Sequence, residues 1–258
     1  MFLDDILQSV DERVARLLPV QSYLRDVAQA MPPVRSFETA LTHGITRPAV
    51  IAECKHRSPS KGWFTEHYDP VAQASRYQDL GASAISVLTE PHFFAGELVH
   101  LEAVRRCVKL PVLRKDFVRD EVQLFEARAA GADAALLIVR IIDDEARLKC
   151  LVQTAMAIGL ETIVEVHSAN EVGKAVAAGA KIIGINNRDL DTFDTRLGFS
   201  QEMAELVPAN VVKISESGIG SAADVTWLGE IGFAAVLVGE SLMRGTSILE
   251  ALPRGDHR

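Results

Sequence analysis

Short apolar stretches of five or six residues recur along the chain from residue 49 onward. They lie at residues 49–53, 83–88, 111–115, 134–139, 161–166, 181–186, 211–216 and 234–239. The segments between them, such as DEVQLFEARAAGA and DDEARLKCLVQTAMAIGL, have the apolar spacing of amphipathic helices and end at or beside a glycine. This alternation predicts parallel strands joined by crossover helices that cover the sheet.

The number of these units favours one particular α/β fold. Eight strand–helix units in roughly 210 residues predict a single closed (β/α)8 barrel, or TIM barrel, which has about 250 residues as a rule. Gly-Ala junctions before four of the strands, in GASAISV, GADAALLI, GAKIIGI and the looser GFAAVLV, indicate that pairs of units repeat. A doubly wound open sheet is the alternative, but no G-x-G-x-x-G follows the first strand.

Residues 1–48 have the periodicity of helices. DDILQSVDERVARLL carries the 3.6-residue pattern, and SFETALTH begins with a candidate capping box at Ser36. The segment has no independent core in its pattern. We therefore predict an N-terminal helical extension over residues 1–48 that packs as a lid or plug on a barrel formed by residues 49–258, the two making one domain overall.

Charge and composition narrow the range of partners. The formal net charge is −8 and the pI about 5.4, which disfavours nucleic acid or an anionic membrane surface as a partner. An anionic small molecule can still bind where positive charge is gathered locally. No basic region with an apolar run opens the chain, and no stretch approaches the ~20 apolar residues of a membrane span. We expect a cytoplasmic protein that is a monomer or a weak homodimer.

Cysteine and histidine spacing gives no sign of a metal. Cys54, Cys107 and Cys150 are scattered and form no C-x-x-C pair, and the seven histidines show no H-E-x-x-H or comparable spacing. We expect three reduced cysteines and no metal site.

Polar side chains end five of the eight predicted strands. Alternation places Glu53 and Lys55 on one side of the first strand and Cys54 on the other, toward the helices. The same count turns four further strand-end residues inward, namely Lys115, Glu165, Asn186 and Glu216. One such charge alone could mark the start of an exposed loop, but the repetition favours a site at the barrel mouth, where active sites lie. Opposite charges crowded there shift each other's pKa values, which suits acid–base chemistry.

Glycines with small polar residues follow the last two predicted strands, in SESGIG (215–220) and VGESLM (238–243). In barrels these two loops commonly bind phosphate through backbone N–H groups beside a helix N-terminus. The first loop leads into a helix that Ser221 could cap. Ordinary turn glycines explain either loop alone, whereas the two together predict a phosphate site.

These residues resemble the indole-3-glycerol phosphate synthase family of tryptophan biosynthesis. The shared motifs span the barrel and are IAECKHRSPSKG, VLTEPHFFAGEL, PVLRKDFVRDEVQLFEARAAGADAALLI, IVEVHS, IGINNRDLDTF, ISESGI and LVGESLMR. The resemblance implies a ring closure without metal or cofactor. In it, 1-(2-carboxyphenylamino)-1-deoxyribulose 5-phosphate loses CO2 and water to give indole-3-glycerol phosphate.

The resemblance also implies residue roles. Lys115 would be the general acid that protonates the ketone as the anilino ring carbon attacks it. Lys55, held by Glu53, would pair with the substrate carboxylate or assist the later dehydration. Glu165 would be the base, with its share of that role relative to Glu53 left open. Four further residues would line the site, namely Asn186, Arg188, Glu216 and Ser217.

Substrate-binding positions carry over in the same way. The phosphate is expected near four positions, Ser58, Gly218, Gly239 and the backbone of Glu240, in agreement with the loop pattern. Phe117 and Leu237 match apolar positions that pack against the anthranilate ring.

The chain departs from the family pattern in two places. The first motif, usually Glu-Ile-Lys-Lys, is Glu53-Cys54-Lys55-His56 here, and FFAG replaces a double glycine. We expect a packing change at Cys54 and little effect from His56, which lies in a loop expected to move. Phosphoribosylanthranilate isomerase, a related phosphate-binding barrel, is an alternative, but such isomerases use a Cys or Asp acid–base pair. A non-catalytic metabolite-binding barrel is the alternative from another class, and the intact Lys and Glu set disfavours it.

Overall fold

Eight parallel strands close into a barrel in the computed structural model, which describes residues 2–189 and 192–253. The barrel strands are β1 (Ala49–Cys54), β4 (Ala84–Leu88), β5 (Val112–Lys115), β6 (Ala134–Ile138), β7 (Glu161–Val166), β8 (Ile182–Asn186), β9 (Val212–Glu216) and β10 (Ala235–Val238). Two short strands outside the barrel are β2 (Arg57–Ser58) and β3 (Gly62–Trp63). The barrel order is β1-β10-β9-β8-β7-β6-β5-β4, and β2 and β3 form a separate antiparallel hairpin. The prediction of a (β/α)8 barrel is confirmed.

Barrel closure is visible at the first strand. Ile51 of β1 is in register with Leu237 of β10 on one side and with Ala84 of β4 on the other. The open-sheet alternative is therefore wrong, because no barrel strand among the described residues has a free edge. Each predicted strand is found within one residue at either end.

Helices connect the strands and form the outer layer. They are α1 (Phe2–Leu17), α2 (Gln21–Ala30), α3 (Phe37–Thr42), α4 (Pro70–Asp79), α5 (Pro91–Phe94), α6 (Leu98–Cys107), α7 (Glu121–Ala129), α8 (Glu145–Ala157), α9 (Ala169–Ala178), α10 (Gly198–Ala204), α11 (Ala222–Glu230), α12 (Glu240–Met243) and α13 (Ile248–Ala251). Short 3₁₀ turns span Leu18–Val20 and Val139–Ile141. Within the described residues no helix combines the length and apolarity of a membrane span.

Side-chain caps explain where several of these helices begin. Ser221 accepts a hydrogen bond from the backbone N of Asp224, whose carboxylate accepts one from Ser221 N, so the predicted cap is confirmed as a full capping box. Ser36 also accepts a bond, from the backbone N of Thr39. The predicted capping box at Ser36 is wrong in its second half, because its third helical residue is Thr39 and not a Glu or Gln. The carboxylate of Glu161 binds that helix end instead.

The apolar side chains form two layers, as alternation along each strand predicts. Ile51, Leu113 and Ile163 belong to the cluster inside the barrel. Val50 and Cys54 belong to the cluster between the strands and the helices. The outward orientation predicted for Cys54 is confirmed. Each buried Val, Leu or Ile side chain contributes about 1.5–3 kcal/mol on full burial, so the two layers stabilise the barrel.

Helices α1 and α3 contact the barrel interior from the N-terminal segment. Ile6 and Val10 of α1 join the inner cluster together with Phe117, and so do Phe37 and Leu41 of α3. The Arg13 guanidinium holds the buried carboxylate of Asp116 through two bonds of 3.1 and 2.7 Å. Helix α1 is thus attached next to the strand end that carries Lys115.

Candidate active site

A cavity of about 490 Å³ opens among the carboxyl ends of the barrel strands. All of the residues predicted for the site line it, namely Glu53, Lys55, Ser58, Lys115, Phe117, Glu165, Asn186, Arg188, Glu216, Ser217, Gly218, Leu237, Gly239 and Glu240. The volume is that of a pocket for a small organic ligand. The fold therefore brings the predicted residues together, although they are spread over nearly 190 positions of sequence.

Lys115 lies at the centre of a charged cluster on one wall. Its Nζ is 3.0 Å from Oε2 of Glu165 and 3.5 Å from Oε2 of Glu216. Asn186 donates a 3.0 Å hydrogen bond from Nδ2 to the other oxygen of Glu165. Gly184 makes room for this cluster, because a Cβ there would overlap the Glu216 carboxylate.

Lys55 and Glu53 form a second pair at the end of β1. Nζ of Lys55 is 2.7 Å from Oε1 of Glu53, and both side chains are largely buried. Gly239 lies against this pair, since a Cβ at that position would overlap Glu53 and come within 3.1 Å of Lys55 Nζ. A side chain at position 239 would therefore displace the pair.

Burial and charge separate the proton affinities within the cluster. Burial alone would lower the pKa of Lys115, but the carboxylates of Glu165, Glu216 and Glu53 raise it, so Lys115 is an ammonium at neutral pH. Burial favours a protonated Glu165, yet Lys115 and His167 lower its pKa and keep it ionised. Burial, reinforced by repulsion from Glu165 and Glu53 and opposed by Lys115, raises the pKa of Glu216 to about 8.

Glu216 is accordingly protonated in most molecules at neutral pH. Neither of its carboxyl oxygens meets a hydrogen-bond partner within the described residues, which matches a group kept uncharged by its surroundings. The cluster thus contains a cation at Lys115, an anion at Glu165 and a neutral carboxyl at Glu216. Such a separation of pKa values is typical of sites that transfer protons.

The loop after β9 has an unusual backbone. Ser217 has a φ of 68° and Gly218 a φ of 78°, both in the left-handed region. That conformation costs a non-glycine residue such as Ser217 on the order of 1–3 kcal/mol, and such residues cluster at functional sites. Gly218 is required for a second reason, because a Cβ there would meet the side chain of Thr195 at 2.5 Å.

The hydroxyl of Ser58 also faces this region without a partner. Ser58 is 7% exposed and lines the cavity, and its Oγ has no hydrogen-bond partner among the described residues. A buried hydroxyl without a partner costs free energy, which a bound oxyanion would recover.

Three cationic side chains surround the carboxylate of Glu240, which also lines the cavity. Lys61, Arg188 and Arg244 approach it at 3.8, 3.7 and 3.2 Å. Lys61 and Arg244 were missed by the sequence reasoning, although both stand within or beside the motifs SPSKG and LVGESLMR. Their position gathers positive charge on an otherwise acidic protein.

Apolar side chains line another part of the cavity. Phe117 and Leu237 are both buried there, and the ring of Phe94 lies 6.0 Å from that of Phe117. Leu3 and Ile6 of α1 complete this surface. Both were missed by the sequence reasoning, because no motif marks a contact made by a separate N-terminal helix.

His56 does not line the cavity. Its ring stacks on Tyr68 at 4.7 Å and meets the ring of Trp63 edge-on at 4.6 Å, beside the β2–β3 hairpin. His56 therefore replaces the usual lysine with an aromatic packing contact.

No cluster of three or more His, Cys, Asp or Glu among residues 2–189 and 192–253 is arranged to hold a metal. A (β/α)8 barrel with a Lys–Glu cluster at the strand ends and glycine loops after its last two strands is typical of an enzyme that acts on a phosphorylated small molecule. Comparison with known proteins gives the family. A family model described as "Indole-3-glycerol phosphate synthase" matches residues 3–253.

The chain belongs to the indole-3-glycerol phosphate synthase family, the carboxy-lyases of that name in tryptophan biosynthesis. The protein so named from Chlorobium phaeobacteroides is 44% identical over 244 residues, which cover 93% of this chain and 94% of that one. The one from Roseiflexus sp. (strain RS-1) is 47% identical over 234 residues, covering 87% and 86%.

A solved structure of a protein with another name has a similar fold. N-acetylmannosamine-6-phosphate 2-epimerase from Clostridium perfringens matches 85% of this chain and 97% of its own with a TM-score of 0.64. Because the two chains are only 13% identical, this likeness shows a shared barrel fold and nothing more.

Proposed function

We propose that this chain closes the indole ring of 1-(2-carboxyphenylamino)-1-deoxyribulose 5-phosphate, with Lys115 as general acid and Glu165 as base. The observation that carries the proposal is the position of the Lys115 ammonium, 3.0 Å from Glu165 and 3.5 Å from Glu216 inside the cavity. Membership of the family supports the reaction, and the geometry supports the roles.

The first step joins two carbons of the substrate. The anilino ring carbon attacks the ketone carbon, and Lys115 gives a proton to the ketone oxygen, which becomes a hydroxyl. The carboxylate then leaves as CO2, and its bonding electrons restore the aromatic ring. A positioned ammonium accelerates such a step by about 10²–10⁴-fold.

The second step removes water. The new hydroxyl leaves with a proton from a lysine, for which Lys55 is placed by its 2.7 Å contact with Glu53. Glu165 takes the proton released from the substrate, because its lowered pKa leaves it ionised and ready to accept. Asn186 fixes the orientation of that carboxylate. Loss of CO2 and water together gives indole-3-glycerol phosphate.

The remaining cavity walls bind the two ends of the substrate. We place the phosphate at Ser58 and at the loops that carry Gly218, Gly239 and the backbone of Glu240, where Lys61, Arg188 and Arg244 supply positive charge. The anthranilate ring lies against Phe117 and Leu237.

The test is turnover by the purified chain in a buffer that contains a chelator. Appearance of indole fluorescence with release of CO2 supports the proposal, whereas confirmed substrate binding without product favours a metabolite-binding barrel. Lys115→Ala is expected to lower kcat by about 10²–10⁴-fold and to leave affinity for inorganic phosphate within about twofold. Lys149→Ala, on the exposed side of α8, is the matched control and retains full activity. Near-wild-type turnover by Lys115→Ala would contradict the role assigned to it.

We further propose that the chain acts in the cytoplasm as one domain, without nucleic acid, and as a monomer or weak homodimer. The net charge of −8 supports the absence of a nucleic-acid partner. The contacts of Ile6 and Phe37 with the inner core support one domain of residues 1–48 and 49–258, of which residues 1, 190–191 and 254–258 lie outside the described part. Light scattering during gel filtration measures the oligomeric state.

A further inference from the structure

The imidazole of His167 lies between two carboxylates behind the cavity wall. Its Nε2 is 3.3 Å from Oε1 of Glu165, and its Nδ1 is 3.7 Å from Oε2 of Glu171, with the side chain only 6% exposed. Neither ring nitrogen meets hydrogen-bond geometry among the described residues, so the contacts are those of neighbouring charges. His167 follows Glu165 by two positions and lies just past the end of β7 at Val166.

Glu171 is held in place from its own side. It lies in the first turn of α9, where a carboxylate is favoured, and its Oε2 accepts a 2.6 Å hydrogen bond from the backbone N of His167. The carboxylate is therefore anchored to the strand end that follows Glu165. The Glu171 carboxylate therefore holds the His167 imidazole on the side away from Glu165.

Glu165 is contacted on its remaining sides by groups of the cavity. Lys115 holds Oε2, and Asn186 holds Oε1 from the direction of β8. His167 and Glu171 do not line the cavity, so neither is placed to touch the substrate. His167 can therefore act on the reaction only through neighbouring groups, and Glu165 is the cavity group that it contacts.

We infer that His167 is a positioning residue for the base of the proposed reaction: its cation, held by Glu171, keeps the Glu165 carboxylate ionised and turned toward Lys115. The inference rests on the proposed function of Glu165. It adds a chain of alternating charges, Lys115–Glu165–His167–Glu171, that runs from the cavity to the start of α9.

The charged groups around His167 favour its protonated form. Burial alone would lower the pKa of His167, but the carboxylates of Glu171 and Glu165, with a smaller contribution from Glu216 on β9, raise it. Burial favours a protonated Glu171, but its contacts with His167 and, to a smaller extent, Arg140 in the turn after β6 lower its pKa and keep it ionised. As pH rises through the raised pKa of His167, the imidazole loses its proton and Glu165 no longer has a positive charge on its His167 side.

His167→Gln tests the inference, since glutamine fills similar space and cannot be protonated. We expect the acid limb of the kcat/KM–pH profile, which reports ionisation of Glu165, to move upward by about one pH unit. We also expect kcat to fall about tenfold, because a carboxylate held on fewer sides is less well placed, while KM changes less than kcat. His43→Gln, next to α3, is the matched control and leaves both unchanged.

Two further measurements keep the outcomes distinct. If His167→Gln does not fold, as judged by circular dichroism, Glu171→Gln takes its place and is expected to move the acid limb in the same direction by a smaller amount. Affinity for inorganic phosphate reports whether the cavity stays intact. An active wild-type enzyme with an unshifted acid limb in the variants overturns the role of His167 alone. A wild-type chain that binds substrate without turning it over overturns the proposed function.

Discussion

Replacing Glu216 with glutamine is expected to stabilise the protein by an amount that grows as pH rises from 5 to 8.5. The carboxyl of Glu216 is 1% exposed and has no hydrogen-bond partner among the described residues, and its pKa is raised to about 8 from an ordinary 4.5. Between these two values the folded chain keeps a proton that the unfolded chain releases. The contribution of Glu216 to stability is therefore fully present below pH 4.5 and is lost as pH rises toward 8.

The size of the effect follows from the two pKa values. Each pH unit between them costs about 1.4 kcal/mol of the free energy of unfolding. The loss is about 3 kcal/mol at pH 7 and on the order of 5 kcal/mol above pH 8. Glutamine has nearly the same shape and no proton to lose, so Glu216→Gln avoids this cost.

Urea unfolding at pH 5, 7 and 8.5 measures this pH-dependent loss of the free energy of unfolding. The stability advantage of Glu216→Gln over wild type is expected to grow from under about 1 kcal/mol at pH 5 to about 3 kcal/mol at pH 7 and more at pH 8.5. Glu230→Gln, an exposed change at the end of α11, is expected to show no such trend. An advantage that does not change with pH would mean that Glu216 is ionised in the folded protein, and the reasoning about the buried cluster would be wrong.

Two other substitutions separate the site from the scaffold. Gly239→Ala is expected to lower kcat at least tenfold, because its Cβ displaces Glu53 and Lys55. Steady-state kinetics measures this loss, and Gly173→Ala, whose Cβ would meet nothing within 4 Å, is the control. Asp133→Ala is expected to cost about 3–5 kcal/mol of the free energy of unfolding in urea with kcat unchanged. The fully buried Asp133 carboxylate accepts from Arg35 N and Val112 N, pairs with Arg105 and lies at the opposite end of the barrel from the cavity. A kinetic defect in Asp133→Ala, or none in Gly239→Ala, would contradict this division.

The sequence by itself determined the strands, their orientation and the polar strand ends that line the cavity. Alternation is a local property of an extended chain, so Glu53 inward and Cys54 outward could be predicted from neighbouring apolar residues alone. Parallel strands bring all their carboxyl ends to one face, so the polar strand ends of Lys115 and Glu165 had to meet. The glycine loops after the last two strands could be predicted for the same reason.

Tertiary structure alone decided the pairing and the electrostatics within that set. Which carboxylate meets Lys115, and at what distance, depends on the stagger of strands far apart in sequence. The neutral state of Glu216 depends on burial and on three neighbouring charges, and electrostatic energy changes with each distance. The contribution of Ile6 from α1, and the contact of His167 with Glu171 behind Glu165, come from packing between separate elements. No local pattern encodes those distances, because they are set by how the whole barrel closes.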